Sequence, residues 1–169
     1  MAHRESIQSP ELELLLGGEP FFWTVSSSVG YTCRNKTEDV LLVQFFLNRI
    51  IDEVFSMTVA DVIAGEDVGN TPFKGIPKRL DPDGDFGGKT WGAIKWFQRE
   101  SRWCVVDGMV SASDGTKALT PKQKMWYTMN MLNAFYREAW PQYYSDIRSD
   151  PTLPSILCHH LSGPLPDLV

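Results

Sequence analysis

The chain has 169 residues, 43% hydrophobic and 22% charged, with a formal net charge of −5 and a pI near 5.2. That length suits one domain with a substantial core, and the composition is that of a globular chain rather than a disordered one. An acidic balance argues against a nucleic-acid partner, whose binding rests on neutralised phosphates, and no apolar run approaches the ~18 residues of a membrane span.

Residues 1–20 read as a flexible leader ending at Gly17-Gly18 and Pro20. The leader lacks the basic-then-apolar form of a secretory signal. The expectation is therefore a cytoplasmic chain, or one that leaves the cell by a route that reads no such signal. Phe21–Val25 is aromatic and β-branched, which suits a short strand or an extended segment on the core. A loop follows at Ser26–Gly30. Cys33, Cys104 and Cys158 form no CxxC pair and are odd in number, so a reduced, structural role is expected rather than a disulfide framework.

A first helix is predicted from Asn35 or Thr37 to Phe55. Asn35 with Glu38 has the form of a capping box, and Glu38 and Asp39 complement the positive end of the helix. Val40, Val43, Leu47 and Ile50 form one stripe, widened by Leu41, Leu42, Phe45 and Phe46. A helix this apolar is buried on more than one side. Residues 56–80 are less regular; Val59, Val62 and Ile63 either extend the helix or form another short one before a Gly69–Pro77 loop.

The Asp83-Gly84-Asp85-Phe86-Gly87-Gly88 turn then leads into a second helix, Gly88–Arg102, with Ala93, Ile94 and Phe97 toward the core. It closes at a second turn, Val106-Asp107-Gly108. Thr120-Pro121-Lys122-Gln123 opens a third helix, with Thr at the N-cap, Pro at N1 and Gln at N3. Met125, Met129, Leu132, Tyr136 and Ala139 continue it as an amphipathic stripe that Pro141 ends. The tail from Pro151 carries Pro154, Pro164 and Pro166 and reads as an extended strap. No solenoid repeat is visible.

This order of motifs resembles the peptidoglycan-binding-like domain family, the three-helix cell-wall module of bacterial hydrolases. The residues that carry it are Asp39-Val40, Val43-Gln44 and Leu47; Asp83-Gly84-Asp85-Phe86-Gly87 with Thr90; Ala93-Ile94 with Phe97-Gln98; and Val106-Asp107-Gly108-Met109-Val110. They span roughly residues 38–120, about half the chain. The resemblance implies a mainly α fold in which a peptidoglycan-binding-like three-helix core gains a long C-terminal helix. The core would occupy residues 35–120 with an insertion at 56–80, followed by the added helix at 121–150 and a Pro-rich tail at 151–169, all within one domain. In that frame Phe86 plugs the helix packing, Gly87 serves as a helix N-cap, and Gln44 and Gln98 tie down loop backbone at the core edge. The added segments would cover the excess apolar surface of the first helix.

The resemblance further implies non-catalytic binding of peptidoglycan glycan or stem peptide, tethering a separate hydrolase or effector, with no cofactor and no membrane partner. The alternative is a cytoplasmic, phage- or secretion-associated protein–protein interaction adaptor that reuses the fold. Trp91, Lys95, Arg99 and Arg102 fall on one face of the second helix and are the candidate ligand-binding residues: Trp as a plate for a sugar ring, the cations for carboxylates. Residues 89–102 hold these cations and Lys89 against Glu100 alone, a local +3. The competing reading is a solvated face whose basic stems cover apolar surface while Trp91 packs on the added helix. Trp96 and Trp103 read as packing against the third helix, or, if exposed, as a protein-binding anchor.

No catalytic or metal-binding set stands out. Asp81, Asp83 and Asp85 resemble the opening of a calcium loop, but Phe86 and Gly92 occupy the positions that need Gly and Glu. His3, His159 and His160 match no zinc spacing, and Cys158-His159-His160 is a weak cluster. Cys104, between Trp103 and Val105, reads as a buried thiol rather than a nucleophile. Glu100 and Glu138 have no distinctive surroundings.

Overall fold

Every residue from Asp39 to Ile51 is buried, so the molecule is built around one long helix, as its all-round apolarity requires. The computed structural model describes the backbone of residues 2–64 and 73–161, and the side chains of these apart from 57–64. The described chain is mainly helical. Strands β1 (His3–Ser6) and β2 (Phe21–Thr24) flank helix α1 (Pro10–Leu15), and then come α2 (Thr37–Ala64), α3 (Gly88–Ser101), α4 (Thr128–Ala139) and α5 (Ser155–His160). Short 3-10 turns at Pro141–Tyr143 and Ile147–Ser149 link the last two helices.

α2 is covered by α4, α5 and α3, so the segments beyond residue 120 do lie on its apolar surface. It runs past the expected stop at Phe55 to Ala64. The expected Gly69–Pro77 loop lies partly outside the described residues. Beyond it, Phe73 and Leu80 are buried. Asn48 of α2 accepts from Leu80 N at 2.7 Å and donates to Leu80 O at 2.9 Å, which seats the returning chain without regular structure.

Four expectations are corrected. The first is the loose leader. Residues 3–6 pair antiparallel with β2, from His3 opposite Thr24 to Ser6 opposite Phe21, and Leu12 and Leu16 are fully buried with Phe22. Ser9 caps α1 by accepting from Leu12 N. The other edge of β2 is closed by a side chain: Asn133 of α4 accepts from Trp23 N at 2.8 Å and donates to Trp23 O at 2.7 Å. A short apolar strand with no further partner thereby satisfies its backbone.

The second correction concerns the capping box. Asn35 sits at φ 50° and exchanges hydrogen bonds with the backbone of Gly30, at 2.8 Å in each direction. Asp39 turns back to the Ser26-Ser27 loop, accepting from both amides and both hydroxyls.

Third, the helix expected from Thr120 begins at Thr128 instead. Thr120-Pro121 makes a single turn, closed by Lys124 N to Thr120 O at 3.2 Å, and Lys124 then adopts φ 55°. Trp126 is drawn into bridges with Cys104 and Leu119, and these pairings, the one to Cys104 long-range, override a good local start signal. The stripe survives within the shorter helix, with Met129, Leu132 and Tyr136 buried. Fourth, part of the Pro-rich tail is α5, whose Leu157 is fully buried; residues 162–169 lie outside the described residues.

One hydrogen-bonded unit is built twice. Gln44 donates to Asp83 Oδ1 (3.1 Å), Asp85 O (3.2 Å) and Thr90 Oγ1 (3.1 Å), and accepts from Gly84 N (3.0 Å). Gln98 donates to Asp107 Oδ1 (3.0 Å), Met109 O (3.0 Å) and Thr128 Oγ1 (3.0 Å), and accepts from Gly108 N (2.8 Å). In each case a buried helix glutamine clasps an Asp-Gly turn and a threonine at the start of the next helix. Gly84 and Gly108 have φ 75° and 72°. A Cβ there would lie 2.6 Å from Thr37 Cγ2 and 2.2 Å from Trp91 Nε1, respectively. Thr37 and Trp91 each stand seven residues before their glutamine. Only glycine serves at either position.

Candidate functional site

The second of these units positions the surface predicted to bind a ligand. α3 starts at extended Gly87, the expected N-cap, and buries Thr90, Ala93, Ile94, Trp96, Phe97, Gln98 and Ser101, which includes the expected core face. It ends at Arg102, a left-handed C-cap with φ 65°. Arg102 therefore leaves the helical face on which its spacing places it. Trp91, Lys95 and Arg99 remain together along α3.

Trp91 is half-buried and not free to act as a plate. Its indole lies against the backbone of Gly108, and the Lys95 ammonium sits 4.3 Å from its ring centre, a cation–π contact. Among the described residues no ring contact joins it to α4. Its aromatic neighbour is Tyr31, with ring centres 5.4 Å apart at 61°. Tyr31 also meets Phe86 edge-on at 5.2 Å, so the three rings form one cluster. Tyr31 is 57% exposed, and it is the ring this cluster presents to solvent. The loop that carries it is stiffened by Asn35 through Gly30 and by a further hydrogen bond to Cys33 O at 3.3 Å.

Arg99 is exposed, and its Nε lies 3.2 Å from Glu100. Glu100 also accepts from Lys74 N, so the local positive charge is partly balanced. No carboxylate among the described residues pairs with Lys95. The surface thus offers one exposed ring with two supporting rings, and two cations along the adjoining helix. Tyr31 is the residue sequence reasoning missed. Nothing local marks it, because its ring partners, Phe86 before α3 and Trp91 on it, lie far along the chain.

Trp96 and Trp103 do not share a role. Trp96 is buried, donates its indole N–H to Lys74 O at 2.9 Å, and packs on Phe73 at 5.3 Å. Trp103 is 59% exposed.

Asp83 accepts from Asp85 N and Gln44, which hold its carboxyl below the ordinary value. Burial pushes the Cys104 thiol up to about 11, a value unsuited to a nucleophile at neutral pH. Among the described residues no three His, Cys, Asp or Glu side chains gather as a metal donor set, and His159 and His160 are exposed on α5.

A polar cluster that the sequence did not announce lies beneath α2. Arg49 Nε bonds Asp150 at 2.9 Å, with both side chains buried. Asp150 also accepts from Tyr136 Oη at 2.8 Å and from Thr152, while the guanidinium stacks 3.6 Å from the Trp140 ring centre. Every partner is internal, so the cluster ties α2 to α4 and to the chain before α5.

No family model matches this chain, and no curated protein or solved structure matches it. The likeness to the peptidoglycan-binding-like pattern therefore stands on the residues quoted for it. Among the described residues no helix is long and apolar enough to cross a membrane.

Proposed function

We propose that this chain binds bacterial cell-wall peptidoglycan without chemistry, through Tyr31 and the Lys95–Arg99 side of α3, and tethers a separate wall-active protein to its polymer. The observation that carries this reading is the exposed Tyr31 ring, braced by Trp91 and Phe86 beside cations. A braced aromatic loses little freedom on binding and offers a sugar ring an apolar face. Lys95 and Arg99 supply the charge for lactyl or stem-peptide carboxylates. Tethering raises the effective concentration of a partner hydrolase with no catalytic group on this chain.

Co-sedimentation with purified sacculi tests the reading. Wild type is retained, and Tyr31→Ala and Lys95→Gln each reduce apparent affinity roughly 3- to 30-fold. An unretained wild type, or variants retained equally well, overturns it.

A second reading, an adaptor that binds protein, is favoured by one separate observation: exposed Trp103, next to Arg102 and close in sequence to Val106, which is 47% exposed. Trp and Arg dominate interface energetics. Under that reading Trp103→Ala abolishes capture of a partner and Tyr31→Ala does not.

A further inference from the structure

Beside the Asp107–Gly108 turn lies a cleft of about 340 Å³, at the small end of the ~300–1,000 Å³ range of ligand pockets. Gly108 faces Trp91, while Asp107 and Met109 line the cleft. The turn is rigid: Gln98 accepts from the amides of Asp107 and Gly108, and Asp107 Oδ1 accepts from Gln98 and Met109 N. The opposite wall is the Thr120–Thr128 segment, shaped by the bridges of Trp126 to Cys104 and Leu119.

Some polar groups of this cleft are engaged, namely Thr120, Thr128 and one oxygen of Asp107; others are not. Trp23, Trp96 and Trp140 each donate their indole N–H to a backbone carbonyl. The indole N–H of half-buried Trp126, by contrast, has no hydrogen-bond partner among the described residues, and neither do the side chains of half-buried Ser111 and Tyr127 and of exposed Gln123. The polar tip of a Trp or Tyr usually finds a hydrogen-bond partner when buried, and these side chains around a concave surface form a ready set of donors and acceptors. Asp107 is the one charged residue in the lining, which contains no Lys, Arg or His. Its Oδ2 is unbonded among the described residues. With no cation in the lining, this carboxylate disfavours anions in the cleft and accepts from neutral hydroxyls.

The geometry points to this cleft as a binding site for a neutral pyranose ring. Trp126 and Tyr127 supply apolar contact with polar edges, Gln123 and Ser111 donate and accept, and Asp107 receives sugar hydroxyls. The site shares only the turn with the Tyr31 surface, so either can fail while the other holds.

The test uses the full chain, with the N-acetylglucosamine tetramer as a neutral probe and a tetragalacturonate as an anionic one, followed by amide chemical-shift titration. Tyr127→Phe and Gln123→Ala remove groups with no internal partner, so they leave the melting temperature unchanged. The neutral probe shifts the amides around Asp107–Ala112 and Gln123–Thr128. Each variant weakens the binding read from these amides roughly 3- to 10-fold, Tyr31→Ala leaves the titration of these amides unchanged, and the anionic probe binds more weakly. The proposal is overturned by no shifts in these segments at about 10 mM probe, by an affinity indifferent to both variants, or by tighter binding of the anionic oligomer.

Discussion

Gln44 and Gln98 each clasp an Asp carboxylate, a turn carbonyl, a threonine hydroxyl and a glycine amide, and Gln98 accepts from the Asp107 amide as well. Each amide satisfies buried turn backbone that no secondary structure reaches. Gln98→Met keeps the volume but leaves the Asp107 and Gly108 amides and Met109 O without their partner. The expected cost is about 2–3 kcal/mol, read from urea unfolding midpoints at constant m-value. The change also loosens the turn shared by Trp91 and the pyranose cleft. A variant as stable as wild type would show that water replaces the amide. The double unit also assigns Trp91 its place. Its counterpart in the first unit, Thr37, faces Gly84, so the inward edge of Trp91 is turn packing, and solvent meets Tyr31 instead.

At the scale of elements, α2 carries a buried ion pair in an apolar setting. Arg49 and Asp150 are buried, and their attraction offsets the loss of hydration only because Tyr136, Thr152 and Trp140 complete the cluster. Arg49→Met is expected to cost about 3 kcal/mol, because it leaves a buried carboxylate without its cation. Adding Asp150→Asn should recover part of that loss, so that the double variant falls short of the summed singles. Additive losses in chemical denaturation would mean that the two residues act independently.

For the molecule as a whole, acid is the informative stress. Hydrogen bonds hold several carboxyls below their ordinary values: Asp83 chiefly through Asp85 N, Asp114 through the Thr116 hydroxyl, Asp146 through the Arg148 side chain. Their folded-state values lie under the unfolded ~3.9, so each contributes stability above that value and loses it as pH falls through the folded one. Thermal melts between pH 7 and pH 5 should therefore be nearly flat with respect to these groups, with a decline setting in below about pH 4. Asp146→Asn, which removes the most buried of the three, should flatten part of that decline. An unchanged acid limb in this variant would place the loss elsewhere.

Periodicity alone determined a good deal. It located the central helix and its burial on several sides, the core face of α3, the Met129–Leu132–Tyr136 stripe, and the need for later segments to cover α2. These are local or one-dimensional signals, set by 3.6-residue spacing and by glycine at obligatory positive φ. The tertiary structure decided what depends on partners far along the chain. The leader became strand and helix because β2 and Phe22 are there to receive it. Thr120-Pro121 lost its helix to the bridges of Trp126, and Asn35 closed a loop rather than capping α2. The candidate surface was half legible. Trp91, Lys95 and Arg99 share a helix, so spacing finds them. Arg102 was lost to a left-handed cap, and Tyr31 joined from a distant loop. No spacing rule encodes a contact across some sixty residues; only the packed core brings those rings together.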